Sequence, residues 1–327
     1  MKKLNKNLNL PRGGVKQPLL KLICAFVPSK GLRYAIREGL IKEYFKAKSQ
    51  IKKDIKLEPT RTFKHFLTLT AICKNEAPYL PEWIEYHKML GVEKFYIYDN
   101  ESTDNTKEVL KSYIADGTVE YTYWEGKAQQ GITYDDSVAK HKYETKWMAF
   151  IDIDEFIVPL SKETIPDIIN NINPKTGLSI HWLIYGDNGH KTKTDGLVIE
   201  RFTKHSTKNF YRNRWIKSIV NPRLVFKMRA HNGEFIGNNL AVDENGKKLS
   251  GHSKHISHNK IRINHYWGKS YEEFQIKKSR PSAACGLSNT HNDKEFEYYN
   301  RNDIEDKTTM QKYIKPIKEN LKKRGLI

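Results

Sequence analysis

An α/β fold with a mostly parallel central sheet and helices on both faces is what this sequence predicts, on three observations. From Phe66 onward, short apolar runs rich in Val, Ile, Tyr and Phe alternate with segments of helical period. Strands separated by single helices pair in parallel, because each crossover returns the chain to the same end of the sheet. Acidic or polar residues follow several of these strands, which places a crevice at their C-terminal ends.

The elements follow in order. FLTLTAIC reads as a strand that runs into Lys74, Asn75 and Glu76. APYLPEWIEYHKML reads as a helix ending at Gly91, and EKFYIYDN as a second strand closing on Asp99 and Asn100. STDNTKEVLKSYIADG opens with Ser and Thr capping candidates and stops at Gly117. TVEYTYW is a third strand, YDDSVAKHKYETK a helix, and WMAFIDIDEF a fourth strand carrying Asp152, Asp154 and Glu155. After Pro159, TIPDIINNIN is a short helix and GLSIHWLIYGDNGH a strand entering a Gly-rich turn. GLVIERF, IKSIVNPRLVF and KIRINHYW are further strands. SYEEFQIKKSR is a helix with Ser270 as cap and Glu273 at its third position.

Three segments are expected: a basic helical extension over 1–64, the main domain over 65–285, and a basic helical tail over 286–327. In the first, Leu32, Ala35, Ile36, Leu40, Ile41, Tyr44 and Phe45 fall on one helical stripe with cations elsewhere. Such a helix either lies on an anionic membrane surface or docks its stripe on the main domain. Lys and Arg number 57 against 38 Asp and Glu, a formal charge of +19, which attracts nucleic acid, anionic lipid or phosphorylated substrates alike. No nucleic-acid-binding motif is present and the aromatics sit within apolar strand patterns, so nucleic acid is not an expected partner. The three cysteines are far apart and form no C-x-x-C pair, which speaks against a disulfide framework or a zinc site and for a reducing compartment. LLKLICAFV is short and interrupted by Lys21, and no apolar run approaches the roughly 20 residues that span a bilayer. The expected location is cytoplasmic, with peripheral contact at the inner membrane face.

Acids are depleted in strands, so three of them at the end of an apolar strand call for a cation. Asp152 and Asp154 are two apart and in a continuing strand would point to one face. Hard cations such as Mn(II) or Mg(II) take carboxylate oxygens and leave positions for phosphate. The bland alternative is that a D-x-D arises by chance in a solvated turn.

Several blocks together resemble glycosyltransferases of the GT-A fold, in particular the family 92 type and bacterial family-2-like relatives. They are CKNEAPYLPEWIEYHKMLGVEKFYIYDNESTDNT, WMAFIDIDEFIVP, HWLIYGDNGH, KSIVNP and INHYWGKSYEEF, in the family's order over roughly 65 to 280. The resemblance implies transfer of a sugar from a nucleotide-sugar donor, expected to be a UDP-sugar, to a hydroxyl of a glycan or lipid-linked acceptor, with inversion. It implies metal ligation by Asp152, Asp154 and His265, with Asp152 also reaching the donor, and Glu155 supporting the turn. It further implies donor contacts from Lys74, Asn75, Glu76, Asp99 and Asn100. Lys269 and Arg280 lie where a leaving diphosphate needs positive charge.

An inverting transfer needs a base for the acceptor hydroxyl. Asp187, in a glycine-flanked turn after the next strand, is the candidate; Glu200 and Glu234 are reserves, and His190 is placed to touch the acceptor. The turn itself also explains GDNG. Surface polysaccharide or lipopolysaccharide assembly is the expected setting. A metal-dependent nucleotidyl- or phosphotransferase would use the same paired acids, but no P-loop or kinase Gly-rich loop is present.

Overall fold

The computed structural model describes residues 24–249, 251–279 and 291–327. Two helices lead in, α1 (Lys30–Arg37) and α2 (Ile41–Leu57). The alternation then runs β1 (His65–Cys73), α3 (Leu80–Met89), β2 (Lys94–Asp99), β3 (Val119–Tyr123), α4 (Gln130–His141), β4 (Thr145–Phe150), β5 (Glu155–Pro159), α5 (Ile165–Ile172) and β6 (Gly177–Ile184). The second half holds β7 (Lys204–His205), β8 (Ile216–Val220), β9 (Val225–Met228), β10 (Gly233–Phe235), β11 (Ala241–Val242), β12 (Lys248–Leu249) and β13 (Ile261–His265). It closes with α6 (Tyr271–Ser279), α7 (Asp293–Tyr299), β14 (Ile304–Glu305) and α8 (Gln311–Lys323).

The main sheet runs β12-β11-β6-β8-β4-β1-β2-β3, with β13 paired to β6 and β5 to β13. β1 is parallel to β2 and β4, and β2 to β3, so the expected α/β architecture with a mostly parallel centre is met. β8 runs against both β4 and β6. Its N-terminal residues therefore arrive at the edge where its neighbours end, which delivers Lys217 to the crevice. Helix α3 buries Trp83, Ile84 and Tyr86 against one face, while Tyr134 and Val138 of α4 pack with Tyr98 and Phe150 on the other.

Four local expectations change. WMAFIDIDEF is not one strand: β4 stops at Phe150, and a turn closed by Glu155 N donating to Asp152 O (3.1 Å) starts β5. GLVIERF forms a short helix over Val198–Arg201, because the buried Glu82 carboxylate accepts from Val198 N (2.7 Å) and Ile199 N (3.0 Å), satisfying the free donors of its first turn. Ser102 does not cap the helix after β2; its hydroxyl accepts from Asn75 N (2.8 Å), and Asp104 takes Thr106 N instead (3.0 Å). IKSIVNPRLVF divides into β8 and β9.

The single N-terminal stripe is divided at Gly39, whose φ of 70° suits glycine. Ala35, Tyr44 and Ile51 dock with Ile236, and Tyr44 OH accepts from Gly237 N (3.1 Å), while Phe45 is left 52% exposed. Of the tail, α8 buries Tyr313, Ile317 and Leu321 in the main core. Arg324 then reaches the buried Glu85 at 2.8 Å.

Candidate active site

The crevice edge carries the loops after β1, β2, β4, β6 and β13. The first two are stitched together: Asn75, at φ 54°, accepts from Thr103 N (2.7 Å) through Oδ1. Asp99 accepts from Ser102 N (2.9 Å) and Tyr121 OH (2.7 Å), and Asn100 donates to Trp124 O (3.0 Å) and Gly126 O (2.9 Å). Lys74 lies 3.6 Å from Glu101. These residues share the predicted edge, but Asp99 and the Asn100 amide nitrogen are engaged in shaping it.

The D-x-D turn sends its acids to different partners. Asp152 Oδ2 lies 2.8 Å from Lys217 Nζ, and Oδ1 accepts from Gln130 Nε2 (2.8 Å). Asp154 Oδ2 accepts from Lys277 Nζ (2.7 Å) and lies 3.5 Å from His265 Nε2. The expectation that both acids share one strand face therefore does not hold, because the chain turns between them. Glu155 is fully buried, 3.6 Å from Lys217, and its Oε2 accepts from Asp152 N (3.0 Å). It holds the turn.

Charge follows this geometry. Burial would raise Asp154, but Lys277, His265 and Lys269 outweigh it and hold the carboxyl well below its usual range. Burial lowers His265 against the pull of Asp154. Burial raises Glu155 well above the usual carboxylate range, with Lys217 opposing and Asp152 and Asp154 adding to it. Lys217, buried, would fall, yet Asp152 and Glu155 hold it above its ordinary value. Lys269 adopts φ 55°, is buried over the Tyr79 ring at 4.2 Å, and is lowered by burial against Glu76 and Asp154.

A carboxylate oxygen of Asp154 and Nε2 of His265 lie 3.5 Å apart, a hard oxygen beside an imidazole nitrogen, and these are the residues that would hold Mn(II) or Mg(II) with phosphate completing the shell. Nδ1 of His265 and Oε1 of Glu155, 4.0 Å apart, are buried without a hydrogen-bond partner. Among the described residues no group of three acidic, histidine or cysteine side chains is gathered to hold a metal ion, and Asp152 faces Lys217 while Asp154 faces His265.

Asp187 follows β6 as expected and lines a small crevice with Trp267, Lys269 and Tyr299. Its Oδ1 accepts from Gly189 N (2.8 Å) and Asn302 Nδ2 (3.1 Å). Of the reserves, Glu200 pairs with Lys318 at 2.6 Å and Glu234 lies on β10, 3.6 Å from Arg229. His190 packs its ring on Phe202 at 5.8 Å. Arg280 lies outside the described residues. Lys217, Lys277 and Gln130 were not singled out from the sequence. A lysine inside the buried strand IKSIV was the available signal, since a buried cation requires a partner.

The description Glycosyltransferase family 92 matches residues 73–293. A family 92 protein of Oryza sativa subsp. japonica is 31% identical over 116 residues, covering 35% of this chain and 20% of that protein. A β-1,4-galactosyltransferase of Caenorhabditis elegans is 25% identical over 227 residues, covering 64% of this chain and 49% of that one. The chain thus spans about a fifth of the length of the plant relative. Among solved structures, S. aureus TarS 1-349 in complex with UDP is similar at 16% identity and a TM-score of 0.32, over 49% of this chain and 47% of that one. With more than half of its length matched, this chain belongs to glycosyltransferase family 92.

Proposed function

We propose that this protein transfers a sugar from a UDP-sugar to a hydroxyl of a glycan or lipid-linked acceptor, with inversion and with the help of Mn(II) or Mg(II). The observation that carries the reading is the convergence of Asp154 and His265 at the C-terminal edge of the sheet, ringed by Lys217, Lys269 and Lys277. The family relatives support the same class: a galactan β-1,4-galactosyltransferase of Arabidopsis thaliana is 25% identical over 226 residues.

In this reading the acceptor oxygen attacks the anomeric carbon, its proton passes to Asp187, and the bond from that carbon to the diphosphate breaks. The bonding pair leaves with the nucleoside diphosphate. Lys269 and Lys277 meet that developing charge in a site with little water, where positive charge acts strongly. A divalent ion held by Asp154 and His265 would add charge at the same oxygens. Asp99, Asn100 and the stitched loop of Lys74, Asn75 and Glu76 form the wall for base and ribose.

Surface polysaccharide or lipopolysaccharide assembly at the inner membrane face is the proposed setting. No helix among the described residues is long and apolar enough to cross a membrane. Helix α2 turns Lys52, Lys53 and Lys56 outward beside exposed Phe45 and Ile55, a face suited to anionic lipid. Flotation with anionic liposomes checks this; absence of binding at low and physiological salt removes the membrane placement.

The class is tested by a thermal-shift panel of UDP-sugars with and without Mn(II), followed by product analysis. Metal-enhanced stabilisation by one donor and release of nucleoside diphosphate are expected. Release of pyrophosphate would instead mark nucleotidyl transfer.

A further inference from the structure

We infer that Tyr211, Trp215 and His252, flanked by Arg212 and Arg214, form a platform on which an anionic glycan acceptor lies while its hydroxyl is presented to the Asp154–His265 crevice. The inference rests on the transfer reading above and names the acceptor's chemistry.

Three rings meet at the surface. Tyr211 and Trp215 lie 5.4 Å apart, Trp215 and His252 4.7 Å, and Tyr211 and His252 5.4 Å. Tyr211 is 46% exposed and His252 is exposed too, although ring clusters of this size are ordinarily core material. A pyranose presents a face of C–H bonds that packs on the negative face of such rings.

Position ties the cluster to the chemistry. Trp215 O accepts from Trp182 N (3.0 Å), and the Trp182 ring lies 4.4 Å from that of His265. Two residues beyond Trp215, Lys217 holds Asp152. The rings therefore gather at the N-terminal end of β8, the end that brings Lys217 to the D-x-D turn.

The arginines set the charge. Arg214 lies over Tyr211 and Arg212 over Trp215, each at 5.0 Å. Buried Arg201 and Arg223 grip Glu273 and Glu58. Arg212 and Arg214 pair with no carboxylate among the described residues, although the Nε of each, like that of Arg201, is buried without a hydrogen-bond partner. Both side chains are half-buried, and a carboxylate or phosphate on the glycan would meet their outer guanidinium nitrogens. Exposed Lys208 and Lys254, on the same two segments, add to the field.

The test compares binding of an oligogalacturonide with that of a neutral β-1,4-galacto-oligosaccharide of equal length at fixed ionic strength. Full-length wild type, Tyr211→Ala and Arg214→Gln are measured, with UDP affinity and thermal melting run alongside. Wild type should prefer the anionic chain by about tenfold or more, and each variant should lose about tenfold while binding UDP unchanged. Equal affinity for the two chains, variants that bind as wild type does, or tighter binding of a single-stranded oligonucleotide at the same rings would overturn the proposal. Failure of the wild type to bind UDP would sink the transfer reading alone, because the oligosaccharide comparison judges the platform separately.

Discussion

Lys277 Nζ donates to Asp154 Oδ2 at 2.7 Å and to Trp267 O at 2.8 Å, so a lysine from α6 closes the second acid of the D-x-D turn. Asp154→Asn keeps the shape of the turn but removes the charge that Lys277 and His265 face. Activity should fall by about 10²–10³-fold, with a cooperative melt retained. Sugar-transfer rates and a thermal melt check this; a variant with full activity refutes the role of Asp154.

Lys217 is the buried counterion of both Asp152 and Glu155. Lys217→Met leaves those acids uncompensated and should cost about 3–5 kcal/mol. Adding Glu155→Gln should return part of that loss, since a neutral amide has no need of the lost cation at a site where burial already disfavours the carboxylate. Urea unfolding of the single and double variants measures the coupling, and strict additivity would argue against the pairing.

Glu273 carries a pH signature. Burial would raise it, but hydrogen bonds from Arg201 and Ser270 and the Arg201 charge bring its carboxyl down to about 2. A depressed acid contributes stability above its unfolded value, near 4.3, and loses it as pH falls toward the folded value. Glu273→Gln should therefore be destabilised most above pH ~4.5, with the gap to wild type narrowing between about 4.5 and 2. Urea midpoints across that range decide it; a gap independent of pH would show the ionised pair to be unimportant.

Gly186 precedes Asp187, and a Cβ there would lie 2.5 Å from Arg301 O and from Asn302 Oδ1. Gly186→Ala must push back the segment that orients Asp187 through Asn300 and Asn302. A loss of about 1–3 kcal/mol is expected, together with a drop in turnover larger than the change in donor binding. A variant with unaltered turnover would remove Asp187 from the reaction.

Much of the fold was legible in the chain because hydrophobic period reports burial locally. β1 to β4, α3, α4 and the Ser270–Glu273 cap of α6 all follow it. GLVIERF misled because its backbone donors are satisfied by Glu82, more than a hundred positions away. The D-x-D was visible as residues, yet the divergence of its two acids was not, since a turn and a strand of the same composition differ only in what surrounds them.

By itself the sequence determined the alternation, the parallel centre and the edge at which polar residues gather, because each depends on contacts between near neighbours in the chain. Tertiary structure alone decided that Lys217 and Lys277 answer the two aspartates, the latter across 123 positions. Strand direction and helix placement set those pairings, and the balance of burial against opposite charge that governs the site exists only once distant segments share one dry volume.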